Sequence, residues 1–350
     1  MRVRLPPRAS AILLHIVVST AAVAQQPAAN LSGTVVSATT GDPVPFAIVA
    51  LGPGFPPRFT DQAGHFAFPG VSAGRYHLVA RQIGYFPVDT ALDVAGDTSP
   101  SLRIALHHLA VVLPPITVIA QQTCRSPGPP DPALSPDLAA VFDQLVENAH
   151  RLALLNDSFP YDYRLERSQW PADREGRAQA APQVDTLSWR IEAEWRYEQG
   201  HLVRTGRGPT GPETFVFVPG LVQFADSAFT GTHCFWLAGR DSMEGTEFVR
   251  LDFAPAASLR ATDVAGTVYL DLTTYQMRYA VVRLTHPGRA LTDVLSLVAT
   301  IRFAEVAPSV VLHDRVHVVT SLRSGGWDSP AQRIEEQRLV AVAFRRPLPR

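Results

Sequence analysis

Between residues 31 and 120 short alternating apolar runs are cut repeatedly by turn words. Val35, Ala47-Ile48-Val49, Phe66, Phe68, Tyr76, Leu78, Ala80 and Val94 carry the alternation, and Thr40-Gly41-Asp42, Asp61-Gln62-Ala63-Gly64, Ser72-Ala73-Gly74 and Ile83-Gly84-Tyr85 interrupt it. A period of two sends successive side chains to opposite faces of a strand. Turns every 8–12 residues or so leave no room for crossover helices, which restricts this stretch to a β-sandwich. Phe66, Phe68, Tyr76 and Leu78 are the expected inward-facing core.

The words Gly33-x-Val35, Gly41-x-Pro43, Ala47-x-Val49, Thr60-Asp61-x-x-Gly64-x-Phe66-x-Phe68, Gly74-x-Tyr76-x-Leu78 and Gly84-Tyr85 resemble, in order and spacing, the carboxypeptidase regulatory-like domain over residues 31–120. The resemblance implies a seven-stranded, transthyretin-like sandwich, also grouped with starch-binding-like folds, serving as an interaction or stabilising module. It implies no peptidase. The chain has neither H-E-x-x-H nor H-x-x-E, so the metal and glutamate apparatus of a metallocarboxypeptidase is missing. The segment from Leu113 to Ala120 resembles the lead into the plug of TonB-dependent outer-membrane receptors. Only 230 residues follow it, too few for a receptor barrel of about 22 strands.

Arg2, Arg4 and Arg8, the apolar run Ala11–Val18 and the small-residue word Ala22-Val23-Ala24 before Gln25 form a secretory signal peptide over residues 1–24. The apolar run is shorter than the ~20 residues that span a bilayer, and no cysteine follows for lipid attachment. The expected location is outside the cytoplasm of a didermal bacterium, in the periplasm or at the periphery of the outer membrane, with no transmembrane span in the mature chain. A formal charge of −1, with 31 cationic residues that are all arginine, argues against a nucleic-acid partner. In an oxidising compartment the even pair Cys124 and Cys234 favours a disulfide over two free thiols. A loop of that length is worth about 4–5 kcal/mol in the chain-entropy picture. A catalytic thiol is disfavoured, because His233 would point to the opposite face of the strand that carries Cys234.

Residues 121–136 hold five prolines after position 126 and read as a semi-rigid spacer. The domain at 137–350 opens with one helix. Ser135 is the expected N-cap, with Pro136 at the first helical position, and Leu138, Val141, Phe142, Leu145, Val146, Ala149 and Leu152 form one apolar stripe to about Leu155. Thereafter the pattern is β, with strands expected at Tyr161–Leu165, Leu187–Tyr197, Phe215–Val218, Phe248–Phe253, Val268–Leu272, Arg278–Leu284, Leu295–Phe303, Val311–Ser321 and Arg338–Phe344. Turns are expected at 198–201, 263–266 and 324–326. The fold class is therefore mostly β: an N-terminal seven-stranded β-sandwich, then one helix packed on a large antiparallel sheet, flat or curved into a half-barrel. Cys124-Arg125, Thr232-His233-Cys234-Phe235 and Gly266-x-Val268-x-Leu270-Asp271 resemble the second halves of exported bacterial proteins with the same first domain. That resemblance carries no activity.

Two segments imitate catalytic motifs. Gly70-Val71-Ser72-Ala73-Gly74 has the letters of a nucleophile elbow but is followed by a strand where the elbow needs a helix. Gly206-Arg-Gly208-Pro-Thr-Gly211 has the letters of a phosphate loop, yet β residues follow the last glycine. Two groups remain as a binding patch. His313, Arg315 and His317 would share one face of a strand, with the two histidines about 13 Å apart and so too distant for one zinc. Trp189 and Trp195 would share a face as core or as a sugar platform, and Trp236 is a third aromatic of that kind. No catalytic residue, metal site or cofactor is expected. The leading expectation is an exported, non-enzymatic binding or scaffold protein whose partner is an envelope protein or glycan. A carbohydrate-binding accessory protein for polymer uptake is the alternative, followed by a lipid carrier or a hydrolase with a scattered site.

Overall fold

The computed structural model describes residues 28–95, 101–111, 122–190, 196–208, 211–323 and 330–348, without the side chains of 28, 29, 189, 190, 207, 208 and 211–213. The expected signal segment, the stretch 113–120, Trp195 and the expected turn at 324–326 lie outside the described residues.

The first seven strands are β1 (Ala28–Ser37), β2 (Ile48–Ala50), β3 (Arg58–Phe59), β4 (His65–Ser72), β5 (Gly74–Arg81), β6 (Val88–Val94) and β7 (Ser101–Leu106). They form two layers, β4-β1-β7 and β3-β2-β5-β6, with β1 and β7 parallel. Alternate residues of both layers meet in one core that includes Leu31, Val35, Phe66, Phe68, Leu78 and Leu106. Tyr76 is only half-buried: its ring lies edge-on to Phe55 and its hydroxyl donates to the Ser72 carbonyl at 2.9 Å. The turn at 61–64 shows why these words punctuate the strands. The Asp61 carboxylate accepts from the backbone N–H of Ala63 and His65, and Gly64 takes φ +74°, a region that disfavours a β-carbon.

Helix α1 spans Pro136–Ser158. Pro136 occupies the first turn as expected, but the Ser135 side chain makes no capping hydrogen bond, its own backbone N–H being drawn to the Asp131 carbonyl. The remaining strands are β8 (Tyr161–Ala172), β9 (Gln183–Arg190), β10 (Val203–Gly208), β11 (Gly211–Val216), β12 (His233–Met243), β13 (Thr246–Pro255), β14 (Asp263–Asp271), β15 (Met277–Thr285), β16 (Val294–Ala307), β17 (Val310–Leu322) and β18 (Gln332–Phe344). Nine of them form one open antiparallel sheet in the order β12-β13-β14-β15-β16-β17-β18-β8-β9, and β10 and β11 form a separate hairpin. The apolar stripe of α1 packs on the sheet through Val141, Phe142, Leu145, Ala149 and Leu155, with Phe142 4.6 Å from the Phe235 ring.

The turn expected at 263–266 is instead the start of β14, whose residues from Asp263 to Leu270 are all buried. Gly266 is there for close packing rather than chain reversal. A β-carbon on it would stand 2.8 Å from the Phe253 ring and closer still to the Val281 carbonyl oxygen. Because one obstacle is backbone, Gly266→Ala is expected to destabilise the fold by about 1–3 kcal/mol, read as a lower urea midpoint at unchanged slope. An unchanged midpoint would show that β14 has room to shift.

A polar flank of α1, beside the apolar stripe, is also buried. Gln144, Glu147, Asn148 and Arg151 recur at i, i+3, i+4 and i+7 and form a seam between the sandwich and the sheet. Gln144 Oε1 accepts from Gly84 N at 2.7 Å. Asn148 donates to the Tyr275 carbonyl at 3.0 Å and accepts from Met277 N at 2.9 Å. The fully buried Arg151 donates to the carbonyls of Phe46 and of Ser309, pairs with Glu147 at 3.4 Å and stacks over the Phe59 ring. Burial pulls its pKa down to about 10, while Glu147 raises it, so it stays charged at neutral pH. Phe46, Tyr275 and Ser309 all have φ between 54° and 58°, so the helix grips three carbonyls in left-handed turns made by residues other than glycine.

Candidate functional site

The strand β17 does not hold the histidine patch together. Its register with β16 shifts at Asp314, so that Arg302 pairs with Arg315 while Phe303 pairs with His313. Consecutive residues Phe303 and Arg302 face opposite ways, hence so do His313 and Arg315. His313 lies with the core-facing Phe303, perpendicular to the Tyr163 ring at 6.0 Å, and burial holds its pKa below the ordinary histidine value. Arg315 and His317 remain on the other face, where His317 meets Glu336 at 3.3 Å. The bulge, which no alternation pattern could reveal, separates the three residues expected to share a face. Trp189 pairs with Tyr163 through its backbone, its side chain lying outside the described residues together with all of Trp195.

The imitation motifs fall where their surroundings put them. Ser72 closes β4 at a tight turn into β5, and Gly206 and Gly208 lie on the β10 arm of the β10–β11 hairpin. Asp263, His233 and Tyr197 make a third group with the look of a relay. Its carboxylate accepts from the Tyr197 hydroxyl at 2.7 Å and from Val264 N at 2.8 Å, with His233 Nε2 at 3.7 Å. His233 is fully buried and stacked on Phe229, and burial pushes its pKa down against the pull of Asp263. The group ties the 197–200 turn to β12 and β14 and is closed to substrate. Among the described residues no three His, Cys, Asp or Glu side chains are grouped to hold a metal ion.

A cleft of about 510 Å³ lies on the sheet face opposite α1, over β12 to β15. Strand register builds it. Along one row Cys234 stands beside Ala254, and Ala265 beside Arg283; along the next, Trp236, Asp252 and Thr267 are successive neighbours. The small side chains of Ala254 and Ala265 form the floor, with the half-buried indole of Trp236 and the exposed guanidinium of Arg283 on either side. Cys124 and Cys234 are joined in a disulfide, Cα atoms 5.4 Å apart, and Ala257 N donates to the Cys124 carbonyl at 2.8 Å. The bond therefore fixes residues 122–124 as one wall of the cleft.

Polar groups line the floor in a fixed network. Arg250 donates Nε to Asp252 Oδ1 at 2.9 Å and Nη2 to Oδ2 at 3.1 Å, and its Nη1 reaches Asp241 at 3.0 Å. Thr267 adds a hydroxyl donor to Asp252 at 2.6 Å. These carboxylates hold Arg250 above the ordinary arginine range, Asp252 being the main cause. Sequence reasoning picked out Trp236 and the cysteines but missed Arg250, Asp252, Thr267 and Arg283. The available signal was Arg250-x-Asp252, opposite charges two apart on one strand face.

Residues 30–107 match the family model of the carboxypeptidase regulatory-like domain. No curated protein matches the chain in sequence. Three solved structures are similar to it at low level. A protein of unknown function from Bacteroides fragilis, described as a candidate membrane-associated protein, is 11% identical with a TM-score of 0.20, covering 90% of this chain and 99% of that one. A protein of Bacteroides uniformis described as a candidate carbohydrate-binding protein is 9% identical with a TM-score of 0.20, covering 91% and 98%. A DUF3823 family protein of Bacteroides uniformis is 11% identical with a TM-score of 0.21, covering 70% and 92%.

Proposed function

We propose that this chain is an exported, non-enzymatic binding protein of the bacterial envelope, in which the cleft over β12 to β15 receives a glycan and the sandwich serves as a docked support. The observation that carries this reading is the composition of the cleft. An accessible indole face suits the apolar face of a sugar ring, and convergent arginine, aspartate and threonine groups suit its hydroxyls. The cleft is broad and open, as a polymer segment requires, and the carboxylate that accepts the Thr267 hydroxyl is already paired with Arg250. The apolar side of α1 fills the sheet face that a lipid carrier would leave open. The leader sequence and a disulfide joining Cys124 to Cys234 both suit an oxidising compartment.

The test is a glycan and peptidoglycan-fragment array probed with the full mature protein, followed by calorimetric titration of the best ligand. Trp236→Ala is expected to weaken binding at least about tenfold, with the thermal midpoint little changed because the indole is half-exposed. Recovered ligand should be intact, with no new reducing ends. Equal affinity of wild type and variant would remove the cleft from consideration, and cleavage of the ligand would overturn the non-enzymatic reading.

A further inference from the structure

We propose that the saccharide received by the cleft is acidic, and that Arg283 takes its carboxylate; this rests on the glycan reading above. The inference comes from asking which charge in the cleft is left without a counterpart. Asp252 is the only acidic residue among those lining it, and both its oxygens are occupied by Arg250, with Thr267 sharing one. Arg250 is in turn held on its remaining nitrogen by Asp241. That pair can still hydrogen-bond sugar hydroxyls, but it is neutralised and offers a ligand no net charge. Arg283 is different. It is exposed, it lines the same cavity, and among the described residues it forms no ion pair.

Its direct neighbours on β14 and β16 are Ala265 and Val298, so no charged side chain stands opposite the guanidinium on the adjoining strands. An uncompensated guanidinium at the edge of an open, otherwise neutralised cleft is a receptor for a planar anion, and its forked donors match a carboxylate two-to-two. A simple anion would use only that corner. Trp236 stands on β12, three strand spacings from β15 and one row along from Arg283, thus about 16 Å away across the floor. A ligand that engages both must present an apolar ring face at one end and a carboxylate at the other. An oligosaccharide containing a uronic acid has that form.

The experiment is titration of the full mature protein with a tetramer of galacturonic acid and with the same tetramer after reduction of its carboxyls to neutral hexose. The acidic tetramer is expected to bind at least about tenfold more tightly than the neutral one, and Arg283→Gln should abolish that difference by weakening the acidic tetramer far more than the neutral one. Trp236→Ala should weaken both. The acidic affinity should fall with added salt, as an exposed charge pair requires. If the two tetramers bind alike and Arg283→Gln changes neither, the acidic assignment is overturned while the glycan reading stands. If neither binds and the array is also empty, both readings fall. If Arg283→Gln abolishes binding but Trp236→Ala has no effect, the site is a plain anion pocket and the saccharide assignment is wrong.

Discussion

Replacing Arg151 with methionine is expected to destabilise the protein by about 3–5 kcal/mol, the range for removing one member of a buried charged pair. The side chain is fully buried, and its loss leaves Glu147 with only the more distant Arg81, at 3.6 Å. It also strips the donor from the carbonyls of Phe46 and Ser309, which sit in left-handed turns costing about 1–2 kcal/mol each. One of those carbonyls belongs to the sandwich and the other to the β16–β17 hairpin, so the same change should uncouple the two domains. The wild type should unfold in urea as one transition, and the variant as two, seen as separate near- and far-ultraviolet midpoints. Glu147→Gln together with Arg151→Met should recover part of the loss, because a neutral amide is cheaper to bury than an unpaired carboxylate. A single transition shifted by less than 1 kcal/mol or so would show that the seam follows docking rather than maintaining it.

Loss of the disulfide should have an effect of similar size. Cys124 and Cys234 are separated by 110 residues, and their bond removes about 4–5 kcal/mol of loop entropy from the unfolded chain. The double variant Cys124→Ser, Cys234→Ser should unfold at a correspondingly lower urea concentration, and dithiothreitol should bring the wild type to the same midpoint. The loss should reach the cleft as well, since the bond holds residues 122–124 against it. Saccharide affinity is therefore expected to drop in the variant even where it remains folded. A midpoint insensitive to reductant would mean that the 122–128 segment is held by its backbone bonds, such as Gly128 N to the His233 carbonyl at 2.9 Å.

Much of the architecture was legible because it rests on local rules. Alternation and turn words gave the sandwich, and the 3.6-residue stripe gave α1 almost to its last residue. Most expected strands lie inside the observed ones, with ends that pairing extended. Tyr161–Leu165, for example, lengthens to Ala172 because β18 and β9 flank it on both sides. What failed depends on non-local packing. Asp263-Val-Ala-Gly266 has turn composition, yet Tyr197 and two backbone amides satisfy the aspartate and Phe253 fills the space above the glycine. Gln144, Glu147, Asn148 and Arg151 lie off the apolar stripe, and nothing local says that the sandwich covers them. The cleft was missed for a related reason: Ala254, Ala265 and Arg283 come from three strands and are meaningless until their register is known.

The docking seam has a consequence for how this chain can diverge. Apart from the charged pairs of Glu147 and the stack of Arg151 on Phe59, the four helix residues grip main-chain atoms: the N–H of Gly84 and Met277, and the carbonyls of Phe46, Tyr275 and Ser309. Such groups are present whatever side chain the position carries. The sandwich and the sheet can therefore drift in sequence at these points while the docking geometry persists, provided that the backbone path and four helix residues are kept. Much of the polar fit between the two halves is thus written on the helix, with Arg81, Gln82 and Phe59 answering from the sandwich.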